Sequence, residues 1–320
     1  MTDARRAPRY TGVRTFAGLS HRPLTPASGA QDDPPTAPAA VVVGIPFDTA
    51  TSWRAGARFG PEAIRSASAV LRPWHPVHGV EVFRSLAAVD AGDVAIIPGN
   101  AERSAERIAS ALAPLCEAGA VPLALGGDHS ILLGELRAQA SVHGRLALLV
   151  LDAHADTWED YYGERMFHGT VLRRAVDEGL IDPERSLIAG IRGPLYAPSD
   201  LDQACALGFE LMTIEELRGL APAAFAERLR ERIDQRAAFL SFDIDVVDPS
   251  AAPATGTPEV AGLLAAEALG LLRALAGTAF VGFDVVEVSP AYDSPGQITS
   301  LLAANIAFEL LALVALAPDG

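Results

Sequence analysis

Apolar residues fall along this chain in short, nearly unbroken runs at 41–45, 123–125, 146–151, 187–191, 239–244 and 280–286, each closed by a polar or glycine-containing turn. Runs of that length with no polar alternation read as strands covered on both faces. Between them, 101–118, 130–142, 222–237 and 263–276 carry apolar residues at helical spacing. Strands alternating with helices predict a mostly parallel sheet wrapped by helices, an α/β fold. No internal repeat interrupts the pattern, and no linker divides it. One domain over 37–320 is the simplest reading, preceded by a partly ordered arm over 1–36 that is rich in Pro, Ala, Arg and Asp and lacks periodicity.

Composition narrows the picture. The chain has 320 residues, half of them hydrophobic and a fifth charged, enough to bury a large core. The apolar stretch 301–318 comes nearest to a membrane span, but Asn305 and Glu309 break it, so it reads as a buried terminal helix. The first residues hold arginines with no apolar segment behind them, which speaks against a secretory signal and for a cytoplasmic location. Cys116 and Cys205 stand far apart outside any metal or disulfide pattern and read as buried thiols. A net charge of −15 opposes a nucleic-acid surface and suits a cationic small molecule, although surface acid also simply keeps a protein soluble.

In parallel α/β folds ligands gather beyond the C-terminal strand ends, and there acids and histidines accumulate: Gly126-Gly127-Asp128-His129-Ser130, Asp152-Ala153-His154-Ala155-Asp156, Asp243-Ile244-Asp245 and Glu287. Alternate residues of a strand share a face, so Asp152 pairs with His154 and Asp243 with Asp245. Members of a pair lie roughly 6.6 Å apart at Cα. Asp156, extended, would stand about 13 Å from Asp152, so it joins only if the chain curls back. Asp248, off parity and before Pro249, reads as a turn residue. Gly126 and Gly127 serve either a close backbone approach or a tight turn.

Each pair alone is equally well a helix or turn cap. Together, four carboxylates and two imidazoles at successive strand ends form a hard, oxygen-rich donor set that suits two Mn²⁺ ions better than structural zinc. Without cations this much buried acid would be destabilising or partly protonated. Paired divalent ions make hydroxide available near neutral pH, so the chemistry expected is metal-assisted hydrolysis. Few basic residues flank these loops, which argues against a phosphoester substrate.

The motifs GGDHS at 126–130, DAHAD at 152–156 and SFDIDVVDP at 241–249 resemble the three signatures of the ureohydrolase family, the arginases and agmatinases. The likeness continues through GIPFDTATSWRAGARFGPEAIR at 44–65, His168-Gly169, GTPEVAGL at 256–263 and DVVEVSPAYD at 284–293. Even YTGVRTFAGL at 10–19 resembles agmatinases. The resemblance implies a three-layer α/β/α sandwich around a mostly parallel eight-stranded sheet, assembled as trimers or hexamers. It also implies two Mn²⁺ per subunit: one on His129, Asp152, Asp156 and Asp243, the other on Asp152, His154, Asp243 and Asp245. By the same resemblance, a hydroxide between the ions attacks a guanidinium carbon and urea leaves. Glu287 would hold the guanidinium, His168 would move protons, and Asp156 would help protonate the departing amine. Read alone, His168 beside Gly169 is an ordinary loop histidine.

The resemblance leaves the substrate open. The loop 157–167 bears Glu159, Asp160 and Glu164 against one Arg165, which favours the ammonium tail of agmatine. Arg165 or Arg192 can instead receive the carboxylate of 4-guanidinobutyrate or 3-guanidinopropionate. A non-catalytic regulatory relative is a further alternative, opposed by the intact metal positions. Trp53, Trp158, Tyr161 and Tyr162 either line a substrate channel or pack elsewhere.

Overall fold

The computed structural model describes residues 8, 9, 11–24 and 38–318. Nine strands form the main sheet: β1 (Ser20–His21), β2 (Ala40–Ile45), β5 (Val89–Asp93), β6 (Val121–Gly126), β7 (Ala147–Leu151), β8 (Leu187–Ile191), β9 (Glu210–Thr213), β10 (Ala238–Asp243) and β11 (Phe280–Val286). Their order is β1-β5-β2-β6-β11-β10-β7-β8-β9, and every neighbouring pair is parallel. A separate antiparallel pair joins β3 (Trp74–His75) to β4 (Val80–Glu81). The sheet has nine strands where eight were expected. The short edge strand Ser20–His21 lies inside the expected arm, and VDAGD and ELMT carry too little apolar sequence to stand out.

Of that arm, the described part packs against the sheet: Phe16 is fully buried, and its N–H donates to Asp90 Oδ2 at 2.6 Å. The rest, and Tyr10 of the agmatinase-like segment, lie outside the described residues. Helices occupy the four expected segments. The one starting at Pro222 ends at Ile233 rather than 237, because Asp234 and Gln235 adopt left-handed φ of 45° and 62°. Helix Ile298–Ala315 is long and apolar enough to cross a membrane by composition, yet 72% of it is buried inside the protein. Of the cysteines, Cys116 is buried as expected and its thiol is pushed up to about 11 by burial, whereas Cys205 is exposed.

Strand order is what builds the site. β6, β11, β10 and β7 are far apart in sequence but adjacent in the sheet. Their registers end nearly level, with Leu125 opposite Val285, Asp243 opposite Val286 and Phe242 opposite Leu151. Whatever follows each strand therefore emerges side by side. Gly127 sits at this edge because a Cβ there would stand 1.8 Å from Phe47 O. Its N–H donates to Ile45 O and its carbonyl accepts from Glu287 N. The close approach is thus between neighbouring strand exits, not towards a metal.

Candidate metal centre

All six expected ligands converge. β7 stops at Leu151 and β10 at Asp243, so an extended strand does not carry the second member of each pair. Instead, each leading aspartate accepts the N–H two residues on: His154 N to Asp152 Oδ1 at 2.6 Å and Asp245 N to Asp243 Oδ1 at 2.8 Å. Ser130 N to Asp128 Oδ1 at 3.1 Å repeats the device on the neighbouring loop. These side-chain turns bring each pair together by a route that strand alternation does not describe. Asp156 arrives by the required bend, its own φ being 48°. Asp248 is a turn residue, accepting Ser250 N at 2.9 Å.

His129 Nδ1 lies 3.0 Å from Asp156 Oδ2, 3.2 Å from Asp152 Oδ2 and 3.4 Å from Asp243 Oδ2. His154 Nδ1 lies 3.0 Å from Asp245 Oδ2 and 3.5 Å from Asp152 Oδ1. Two ligand groups, His129/Asp152/Asp156 and Asp152/His154/Asp245, therefore share Asp152. His129 Nδ1 and Asp152 Oδ2 are buried with no hydrogen-bond partner among the described residues, which a cation between them would resolve. The donor set fits two divalent ions. Burial, then the charges of Asp245 and Asp152, push Asp243 well above the carboxylate range. Burial would also raise Asp152, but the imidazoles of His129 and His154 outweigh it and hold it low.

Two residues inside the motifs act on a ligand without having drawn notice in the sequence. Ser241 Oγ donates to Asp284 Oδ1 at 2.7 Å and so accepts from His129 Nε2 at 2.9 Å. That fixes the His129 tautomer and leaves Nδ1 free for an ion. Asp284 is fully buried and burial pushes it up to about 6. Nothing in the residue types or their spacing singled out this pair, since both sit within strands.

Glu287 takes a left-handed φ of 62° at the end of β11, a strained backbone for a side chain of this size. Its Oε1 accepts from His129 N at 2.8 Å and from His168 Nδ1 at 2.9 Å, while its buried Oε2 has no partner among the described residues. His168 is held from the other side by Ser52, whose N–H and Oγ lie 3.1 and 2.9 Å from Nε2. Burial opposes a charged His168, but Glu287 more than offsets it and raises the imidazole to about 9. The Ser52 N–H works the opposite way, since only an unprotonated nitrogen accepts it. Ser52 reaches this position because the fully buried Asp128 accepts Ala50 N at 2.9 Å.

Above the ligands opens a cavity of about 380 Å³, with His154, Asp156, Asp243 and His168 among its lining residues. Trp158 and Tyr161, stacked 4.7 Å apart, form an aromatic wall with Tyr196. Tyr162 and Trp53 do not line it; both are exposed. The loop acids face elsewhere: Glu159 pairs with Arg173 at 2.7 Å, Asp160 accepts Gly163 N, and Glu164 is exposed. Arg165 is also outside, bonded to Asp177 at 2.9 Å. Arg192 does line the cavity, but its guanidinium is spent on the carbonyls of Gly190, Asp245, Val246, Glu259 and Val260. The carboxylates lining the cavity beyond the ligands are Glu259, 4.0 Å from His154 Nε2, and Asp200. Neither belongs to a stretch whose charge pattern marked it.

The chain is similar in sequence and fold to known proteins. Residues 38–313 match the family described as the Arginase family. Proclavaminate amidinohydrolase of Streptomyces clavuligerus is 44% identical over 309 residues, covering 97% of this chain and 95% of its own. Its solved structure aligns with a TM-score of 0.88 at 43% identity, covering 98% of this chain and all of that one. The mitochondrial agmatinase of Gallus gallus is 43% identical over 277 residues, 86% of this chain and 81% of its own. Guanidinobutyrase of Pseudomonas aeruginosa is 39% identical over 307 residues, 96% and 94% respectively. With two ligand groups at the ends of the parallel strands β6, β7 and β10, the chain belongs to the arginase family, the ureohydrolases, and is a hydrolase of C–N bonds in linear amidines.

Proposed function

We propose that this protein hydrolyses agmatine to putrescine and urea, using two Mn²⁺ ions per subunit. The observation that carries the choice of substrate is the charge of the cavity wall. Glu259 and Asp200 line it, and the one guanidinium among its described lining residues, Arg192, has its donors committed to backbone carbonyls. A primary ammonium is stabilised there and a carboxylate meets no free cation. The acids of the loop 157–167, which suggested the same substrate from sequence, take no part.

His129, Asp152, Asp156 and Asp243 would hold one ion, and Asp152, His154, Asp243 and Asp245 the other. Their oxygen-rich character favours Mn²⁺. Such ions supply Lewis-acid activation of water near neutral pH. The protein's own groups do the rest. Glu287 Oε2, buried and unpartnered, accepts the planar N–H fork of a guanidinium. Once that cation is seated, the carboxylate no longer supports the proton on His168 to the same extent, and the imidazole can pass it on. Water adds to the guanidinium carbon, the bond from that carbon to the alkyl nitrogen breaks, urea keeps the new oxygen, and the amine leaves with a proton. Asp156, which lines the cavity beside His168, is assigned to help deliver it.

A cytoplasmic location is part of the same proposal, and assembly into trimers or hexamers is supported by the family resemblance. Urea release is to be measured with agmatine, 4-guanidinobutyrate, 3-guanidinopropionate and arginine offered in parallel to Mn²⁺-loaded protein. Agmatine is expected to give the highest kcat/KM, reduced at least tenfold in Glu259→Gln. A guanidino acid preferred over agmatine overturns the substrate assignment. No urea from any of the four would return the chain to a regulatory role.

A further inference from the structure

A second cluster of ligand-type side chains lies between the β3–β4 hairpin and the C-terminal helix, sharing no residue with the metal centre. The hairpin turn closes through Gly79 N to His75 O at 2.8 Å and His78 N to His75 Nδ1 at 3.2 Å. It stacks the two imidazoles with ring centroids 4.6 Å apart. Glu309 faces them from helix Ile298–Ala315, its Oε2 2.8 Å from His75 Nε2. One ligand atom from each of His75, His78 and Glu309 falls within 4.8 Å of the others. Arg273 takes the remaining oxygen, donating to Oε1 from Nε at 2.9 Å and from Nη2 at 2.6 Å.

Hydrogen bonding accounts for His75 and Glu309 but not for His78. Among the described residues its buried Nε2 has no partner, an unfavourable state for a polar group. Burial, followed by the neighbouring His75, holds His78 below the ordinary imidazole range, so it presents a neutral nitrogen, the form that binds metal. We infer that His75, His78 and Glu309 form a further cation site, separate from the catalytic pair and suited to an imidazole-preferring ion such as Zn²⁺. Two imidazoles and one carboxylate are the reverse of the oxygen-rich metal centre and select a different ion. The ion replaces the His75–Glu309 hydrogen bond at Nε2; the His75 proton moves to Nδ1, which gives up the His78 N–H. Arg273 holds Oε1 and thereby presents Oε2 as a single ligand oxygen, the outer-shell support that ligating carboxylates commonly have. Arg273 offsets the charge of Glu309. The added charge of the ion is met by water, since Arg273 is 35% exposed and His78 is only partly buried. The site ties the hairpin to the C-terminal helix.

The test keeps the metal centre saturated with Mn²⁺ while limiting Zn²⁺ is dialysed against wild type and His78→Ala, and both metals are counted per subunit. Wild type is expected to retain one Zn²⁺ beyond its full Mn²⁺ complement, and His78→Ala to retain none, with Mn²⁺ content and urea release unchanged. Equal Zn²⁺ in both proteins, or Zn²⁺ that enters only as Mn²⁺ leaves, overturns the site. Should the variant fail to fold, Co²⁺ added to Mn²⁺-saturated wild type decides. An intense visible band from a four-coordinate site supports the assignment, and its absence overturns it.

Discussion

Glu287 shows how much one side chain can combine. Its Oε1 fixes the His129 backbone and the His168 ring, and its Oε2 is left for a ligand. Glu287→Gln is expected to lower kcat/KM for agmatine by about 100-fold or more, the scale of losing a charged group aimed at the reacting centre. Both metals should stay bound. Loss of metal in that variant, measured by atomic emission, would recast Glu287 as a structural support of the centre. His168 gives a pH prediction. Its imidazole lies near 9 in the folded protein against about 6.5 in an unfolded chain. Between those values the folded form holds a proton that the unfolded chain has shed. This stabilisation, up to about 3 kcal/mol at roughly 1.4 kcal/mol per unit, is complete below about pH 6.5 and is lost as pH rises through about 9. Denaturant unfolding of metal-free wild type and His168→Asn checks it: the gap between them should shrink as pH rises from about 6.5 and be closed above about pH 9. A pH-independent gap would mean that Glu287 does not raise the imidazole. The ligands were legible as residues because their motifs are short and local. Ser52, Ser241 and Asp284 were not, because their importance comes from contacts with partners 43 to 116 positions away.

Strands and turns deliver these residues, and here local pattern had a mixed record. The six apolar runs are strands because buried parallel strands need little else than β-branched and aliphatic residues. β1 and β9 escaped because sheet edges admit polar residues, and β5, between β1 and β2, because VDAGD ends in polar residues. The pairing of Asp152 with His154 and of Asp243 with Asp245 was anticipated for the wrong physical reason, since a carboxylate accepting an N–H two residues on, not strand alternation, closes each pair. Gly127→Ala forces Phe47 and the β6 exit apart, and should cost about 1–3 kcal/mol or more with weakened Mn²⁺ binding. A thermal midpoint equal to wild type would contradict the 1.8 Å approach. As a contrast, Thr213 and Glu216 form a reciprocal cap on helix Ile214–Gly219. Thr213→Ala should cost about 1 kcal/mol with urea release unchanged. An altered KM for agmatine would tie that helix to the site.

For the whole molecule, metals bound at this centre would be part of the folding balance. The metal centre gathers four carboxylates at the ends of adjacent strands, with burial raising Asp156, Asp243 and Asp245. Chelation should therefore lower the thermal midpoint, and Mn²⁺ at about 100 times its dissociation constant should restore roughly 2.7 kcal/mol. Asp243→Ala is expected to lose one or both ions and to respond less to chelator. Two ions retained with full activity would refute its shared role.

The sequence by itself determined the α/β class and singled out the six candidate ligand residues and the chemistry of their donor set, because each is written in a few neighbouring residues. It did not determine which strands lie side by side, since parallel pairing joins segments through crossovers of any length. Only the tertiary structure placed β6, β11, β10 and β7 together, turned the acids of the loop 157–167 away from the cavity, and put Glu259 and Asp200 on its wall. Selectivity was the part least visible in the sequence, because it depends on where charges from distant segments meet in space.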